Sequence, residues 1–179
     1  MSDKHLALSS DYYYWRDEDH NILLGKWCLK NKNTKHLFKY KHSIIKDIWN
    51  DEKYDSKVSF CNTLHNVILK HLSTSLNTIH DEDLSVRSWD IIVGWWLLFH
   101  IQICYDRYHL IKSGLEQNPT SCNVLTLPAN HFIPADSLEY SKFINNDLRN
   151  FFLLSWILNE FKHRDLDCRP IEEKPQDVR

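Results

Sequence analysis

The chain has 179 residues, of which 42% are hydrophobic and 13% aromatic, enough for one sizeable core and too few for two independent ones, and too apolar for a wholly disordered chain. A formal charge of -2 and a pI near 6.6 give no general attraction to nucleic acid or to an anionic membrane surface, so nucleic acid is not expected as a partner. The five cysteines, Cys28, Cys61, Cys104, Cys122 and Cys168, include no CxxC pair and are odd in number, which fits a reducing cytoplasmic setting better than a disulfide-stapled secreted domain.

In chain order, the opening Met-Ser-Asp-Lys-His carries no basic region followed by an apolar core, so no secretory signal is expected. Leu6-Ala7-Leu8 and Ile22-Leu23-Leu24 are short apolar runs that read as buried strands, the second entering a turn at Gly25. Asp11 to Arg16 between them reads as a short aromatic helical turn. Lys30 to Asp51 is polar with scattered aromatics and is expected as a surface excursion. From about Asp55 to His80, Cys61, Leu64, Ile68, Leu72, Leu76 and Ile79 recur at spacings of three and four, which predicts an amphipathic helix.

Ser85 is placed to cap a second long helix, Val86 to about Glu116, with Gly114 and Asn118-Pro119 as stop signals. Within it, Ile91 to Tyr105 is apolar on nearly every face. It is shorter than the roughly 20 residues of a membrane-spanning helix and is bracketed by Asp90 and Asp106-Arg107, so it is expected at the centre of a core rather than across a bilayer. Val124 to Leu127 reads as a third strand, halted by Pro128. Asp136 and Glu139 have the spacing of a capping box, opening helical sequence that breaks near Asn145-Asn146 and resumes over Leu148 to Phe161. Residues 162–179 are charged, contain Pro170 and Pro175, and read as a tail or linker after a single domain over 1–161. Strands interleaved with helices argue for a small parallel α/β sheet, Rossmann-like, flanked by long helices.

No GxGxxG, GxxxxGK[ST], HExxH or GxSxG run is present, so neither a cofactor nor a metal is called. Among eleven histidines, His65 and His71 lie six apart and share no helix face, and His36 and His42 fall in the irregular stretch, so structural or surface roles are expected. Two places invite a ligand. The turn Gly25-Lys26-Trp27-Cys28 follows a strand, where α/β proteins gather ligands. Glycine would admit a close approach, Lys26 would meet an anion and Trp27 would stack on a sugar face; a tight turn with a core tryptophan explains the same residues equally well. The second is Asn77, His80, Ser85, Arg87 and Trp89 at the junction of the two long helices, with Arg87 as a fork for carboxylate or phosphate and a structural corner as the plainer account. Asp106-Arg107 is expected to pair within its helix or with neighbouring helices.

The runs LLGKWCL, LNTIH, SVRSWDIIVGWWL, HIQICYDRY and FIPADSLEY resemble, in that order, the opening region of a transferase family associated with O-antigen and other surface-polysaccharide biosynthesis. The resemblance covers most of Leu6 to Phe161. It implies a relative of two-domain glycosyltransferases, in which a Rossmann-like N-terminal half holds the acceptor and a C-terminal half holds a nucleotide-sugar donor. Carried over by position, it marks Gly25, Trp27 and Cys28, then His80, Arg87, Trp89 and Gly94, then Asp106 and Arg107. On this reading Gly25, Lys26, Trp27, Arg87 and Arg107 contact substrate and His80 is the general base. Trp95 stands where the family pattern usually has proline, and the donor-binding half lies outside the sequence ending at Arg179, so this chain is expected to be catalytically incomplete alone. The rival expectation is a non-catalytic binding or assembly module that uses exposed aromatics.

Overall fold

The computed structural model describes residues 3–29, 39–161 and 165–172. Residues 30–38, with the first part of the expected surface excursion and His36, lie outside them, as do 162–164 and 173–179 of the expected tail. The chain divides into two compact units within the span expected as one domain: residues 1–47 with 107–179, and residues 48–106.

The first unit carries the sheet. Strands β1 (Lys4–Ala7), β2 (His20–Leu23), β3 (His42–Ile44), β4 (Ser121–Leu125) and β5 (Asp167–Ile171) pair in the order β3-β2-β1-β4-β5, every pair parallel. The expected parallel α/β class is the observed one, with five strands where three are legible in the sequence. β5 arises inside the stretch read as a tail; Pro170 is tolerated because an edge strand leaves one row of amides unpaired. Parallel strands are covered on both faces, and Leu6, Ile22, Leu23 and the following Leu24 are wholly buried.

The central strands also bury polar side chains, each with partners. Asn21 accepts from the amide of Arg16 (2.9 Å) through Oδ1 and donates to its carbonyl (2.8 Å), closing the loop that enters β2. His5, fully buried, donates from Nε2 to the carbonyl of Tyr14 (3.0 Å), which requires the proton on that nitrogen and leaves Nδ1 to accept from the Ser121 hydroxyl (2.9 Å) across the β1–β4 register. Asn123 donates to the same carbonyl of Tyr14 (2.9 Å). Such groups are tolerated inside only because they are satisfied.

Three further helices are α1 (Tyr54–His80), α2 (Val86–Trp89) and α3 (Trp95–Leu115), with a π-helical turn, Asp90–Gly94, joining α2 to α3. Two more follow β4: α4 (Ser137–Phe143) and α5 (Asp147–Glu160). Gly114, expected as a stop signal, is inside α3, and a Cβ there would come within 2.7 Å of the Leu6 side chain. Its missing side chain lets the helix settle on β1; the chain turns at Asn118, the other expected stop signal, whose φ of 53° is left-handed. α5 begins with Asn146 accepting from the amide of Arg149 (3.2 Å), and Ser155 accepts from the amide of Leu125 (2.9 Å), fastening α5 to β4.

The second unit is helical. Its core is Cys61 and Leu69 of α1 with Trp89, Leu97 and Ile101, supported by Leu64, Ile68, Leu72 and Leu76. Ile79, expected on the buried stripe, is 72% exposed. The apolar run from Ile91 is also less buried than expected: Ile91, Ile92 and Trp95 are 78%, 61% and 72% exposed. The π turn shifts the helical register between Trp89 and Leu97, so one flank of the run faces outward. It occurs just before the position where proline was expected, and His65 donates from Nε2 to the Gly94 carbonyl there (3.1 Å).

Candidate functional site

In a sheet ordered β3-β2-β1-β4-β5, the chain leaves β1 toward one side and returns on the other, so the crevice beyond the carboxyl ends of β1 and β4 is the topological switch point, where open α/β sheets bind ligands. The loop after β1, Ser9-Ser10-Asp11, meets the start of α5 there. The Asp147 side chain accepts from the Ser9 hydroxyl (2.5 Å) and the Ser10 amide (2.8 Å). Ser9 in turn accepts from the amide of Asp11 (3.0 Å), and its carbonyl receives Trp15 Nε1 (3.0 Å). Asp11 caps the short 3-10 turn Tyr12–Tyr14, which leaves Tyr13 80% exposed. Asp147 lies in the first turn of α5, where a negative side chain complements the helix dipole.

The same helix start gathers two guanidinium groups. Arg107 of α3 donates through Nε (3.2 Å) and Nη2 (3.0 Å) to Oδ1 of Asn150. Asn150 Nδ2 donates to the carbonyls of Ile144 (2.7 Å) and Asn146 (3.2 Å). Arg149 lies 3.9 Å from Glu139, and burial pulls its guanidinium below its ordinary value while Glu139 opposes that shift. Glu139 belongs to the expected capping box: its amide donates to Asp136 (2.7 Å), and its carboxylate receives the amide of Ala135 (2.6 Å). These groups satisfy one another, so the contacts fix the loop after β1 and the start of α5 at the rim of the switch point.

Of the residues marked from the sequence, Gly25, Lys26, Trp27 and Arg107 belong to the first unit, His80 and Arg87 to the second. Gly25 is buried with no positive φ; a Cβ there would stand 2.7 Å from Trp27 Cδ1 and Nε1, so the indole occupies the space that glycine leaves. Trp27 packs on the cluster of Ala7, Trp15, Leu23, Cys28 and Tyr40, and its Nε1 is buried without a hydrogen-bond partner among the described residues. Lys26 is exposed at the first position of the turn Lys26–Leu29. The Cys28 thiol is pushed up to about 12, chiefly by burial, and is a packing group rather than a nucleophile.

In the second unit, His80 is the exposed last residue of α1, its ring 5.9 Å from that of Trp89. Asn77 organises this corner. Its Oδ1 accepts from Trp89 Nε1 (2.7 Å) and the Leu84 amide (3.1 Å), and its Nδ2 donates to the Leu84 carbonyl (2.9 Å). Ser85 caps α2 as expected, accepting from the Ser88 amide (3.1 Å). Arg87 is exposed beside it. Asp106 and Arg107, neighbours in sequence, turn to different partners, Asp106 receiving Trp49 Nε1 (3.0 Å) within the second unit.

Among the described residues no helix is long and apolar enough to cross a membrane, and no group of three or more His, Cys, Asp or Glu is arranged to hold a metal ion. Sequence reasoning passed over Ser9, Ser10 and Asp147, because only the strand order identifies their loop as the switch point. A sequence model of the LIC12162 family transferases matches residues 4–179. No curated protein and no solved structure matched. By a match spanning nearly the whole sequence, on a fold of the kind the shared motifs imply, the chain belongs to the LIC12162 family of transferases.

Proposed function

We propose that this chain is the Rossmann-like half of a glycosyltransferase-like enzyme of surface-polysaccharide (O-antigen) biosynthesis, acting in the cytoplasm on a glycan acceptor and a nucleotide-sugar donor. The observation that carries the reading is the switch point between β1 and β4, with the Ser9-Ser10 loop and the start of α5 at its rim. Family membership as a transferase and the order of the shared motifs support it. In this proposal Arg107, held by Asn150, braces the rim. In the first unit Lys26 meets an anionic group of a substrate and Gly25 and Trp27 shape its turn; in the second, taken by itself, Arg87 meets an anionic group and His80 is the general base for a hydroxyl. A donor-binding domain or second chain completes the site.

Hydrogen exchange of the chain with acceptor oligosaccharides of the surface-polysaccharide type tests the placement. Protection of residues 8–13 and 146–150 supports it, and unchanged exchange with the whole acceptor series overturns it. Once transfer is reconstituted, Arg87→Ala is expected to abolish turnover without changing stability.

The exposed flank of Ile91, Ile92 and Trp95 favours a second reading, an assembly module that docks through this apolar strip. A native assembly that contains no sugar-nucleotide-binding chain and is lost in Trp95→Ser would favour it over the first.

A further inference from the structure

Cys122 and Cys168 stand opposite each other in the register of two neighbouring parallel strands, β4 and β5. Their sulfurs are 3.1 Å apart, with the Cys122 thiol donating to Cys168. Cys122 is wholly buried and Cys168 is exposed on the edge strand. Neighbouring strands lie about 4.7–4.9 Å apart, inside the Cα separation of about 4.4–6.8 Å that a disulfide spans, so the bond needs rotation of side chains and not movement of the backbone.

We infer that Cys122 and Cys168 form a thiol oxidation site, in which exposed Cys168 is attacked by an oxidant of the peroxide or small-disulfide class and buried Cys122 resolves it into an intramolecular disulfide. With a peroxide, the Cys168 thiolate attacks one oxygen, the O–O bond breaks, and a sulfenic acid and one hydroxyl product form. The Cys122 sulfur then displaces water from it. With oxidised glutathione, Cys168 takes one glutathionyl group and releases one thiol, and Cys122 releases the second. Either way the two cysteines give up two electrons and two protons to the oxidant. The division of labour follows the surroundings: burial, and then the contact with Cys168, raise the Cys122 thiol, whereas Cys168 meets solvent.

The bond would close the chain from β4 to β5 around α4 and α5, including the helix start that carries Asp147, and would tether an edge strand otherwise held by one neighbour. Its formation is expected to slow amide exchange in β5 and to raise the unfolding temperature by several degrees.

The test treats the full chain with oxidised glutathione, then counts thiols in denaturant and maps peptides without reduction. The expected result is a fall from the five free thiols to three, a Cys122–Cys168 cross-linked peptide, and full reversal by dithiothreitol. Cys168→Ser, a change on the surface, is expected to keep all four of its thiols under the same treatment. A stable glutathione adduct on Cys168 without the cross-link, cross-links at other cysteines, or no reaction would each overturn the inference.

Discussion

The hydroxyl of Ser9 and the side chain of Asp147, 138 positions apart, meet at 2.5 Å and tie the loop after β1 to the first turn of α5. Ser9 is 1% exposed, so its partner cannot be replaced by bulk water without rearrangement. Asp147→Ala removes the acceptor of both this hydroxyl and the Ser10 amide and is expected to cost about 2 kcal/mol, read as a lower urea midpoint at unchanged slope. In a double-mutant cycle with Ser9→Ala the two losses should be less than additive by about 1 kcal/mol. Strict additivity would mean that the contact does not hold the loop.

At the corner of the second unit, structural and functional roles separate by residue. Asn77 satisfies Trp89 Nε1 and both backbone groups of Leu84, so Asn77→Ala should destabilise by about 2–3 kcal/mol. Arg87 is exposed and Arg87→Ala should change stability by under about 0.5 kcal/mol. Thermal unfolding of both variants makes the comparison; a large loss in Arg87→Ala would make that residue part of the corner and remove it from the substrate site.

Gly25→Ala puts a methyl group where the Trp27 indole lies, 2.7 Å from its nearest atoms. Overpacking of this kind costs about 1–3 kcal/mol. Adding Trp27→Leu to the variant should recover part of that loss by emptying the space, and denaturant titration of the single and double variants reads it. Without any recovery, the glycine would be required for something other than the approach of Trp27.

What could be read from the sequence follows the reach of each signal. The helix over Leu148 to Phe161 and the caps at Ser85 and Asp136 are local patterns, and they stand close to where they were expected. The legible strands start two or three residues before their apolar runs, because β1, β2 and β4 open on Lys4-His5, His20-Asn21 and Ser121, polar residues that the apolar pattern does not mark; His5 and Ser121 bond each other across β1 and β4, and Asn21 bonds Arg16. β3 and β5 are the edge strands, and pairing with a neighbour, not an apolar run, creates them. The switch point depends wholly on strand order, so Ser9 and Asp147 carried no mark in the sequence beyond a turn and a helix start.

His5 makes stability depend on pH with a definite sign. Burial, aided by Arg16, lowers its folded value from 6.5 to about 4, because the wholly enclosed ring would lose the hydration that its charged form needs. Above pH 6.5 both folded and unfolded chains hold a neutral ring, and the full stability is present. Between 6.5 and about 4 the unfolded chain binds a proton that the folded one refuses, so stability falls as the pH falls, by about 3 kcal/mol from this residue across the window. Below that range both forms are protonated and the contribution is flat. Urea titrations at half-unit steps from pH 7.5 to 4 measure the slope, and His5→Gln, which cannot titrate, should reduce it by the share of one proton. An identical slope in the variant would assign the acid sensitivity to other groups and leave His5 a spectator.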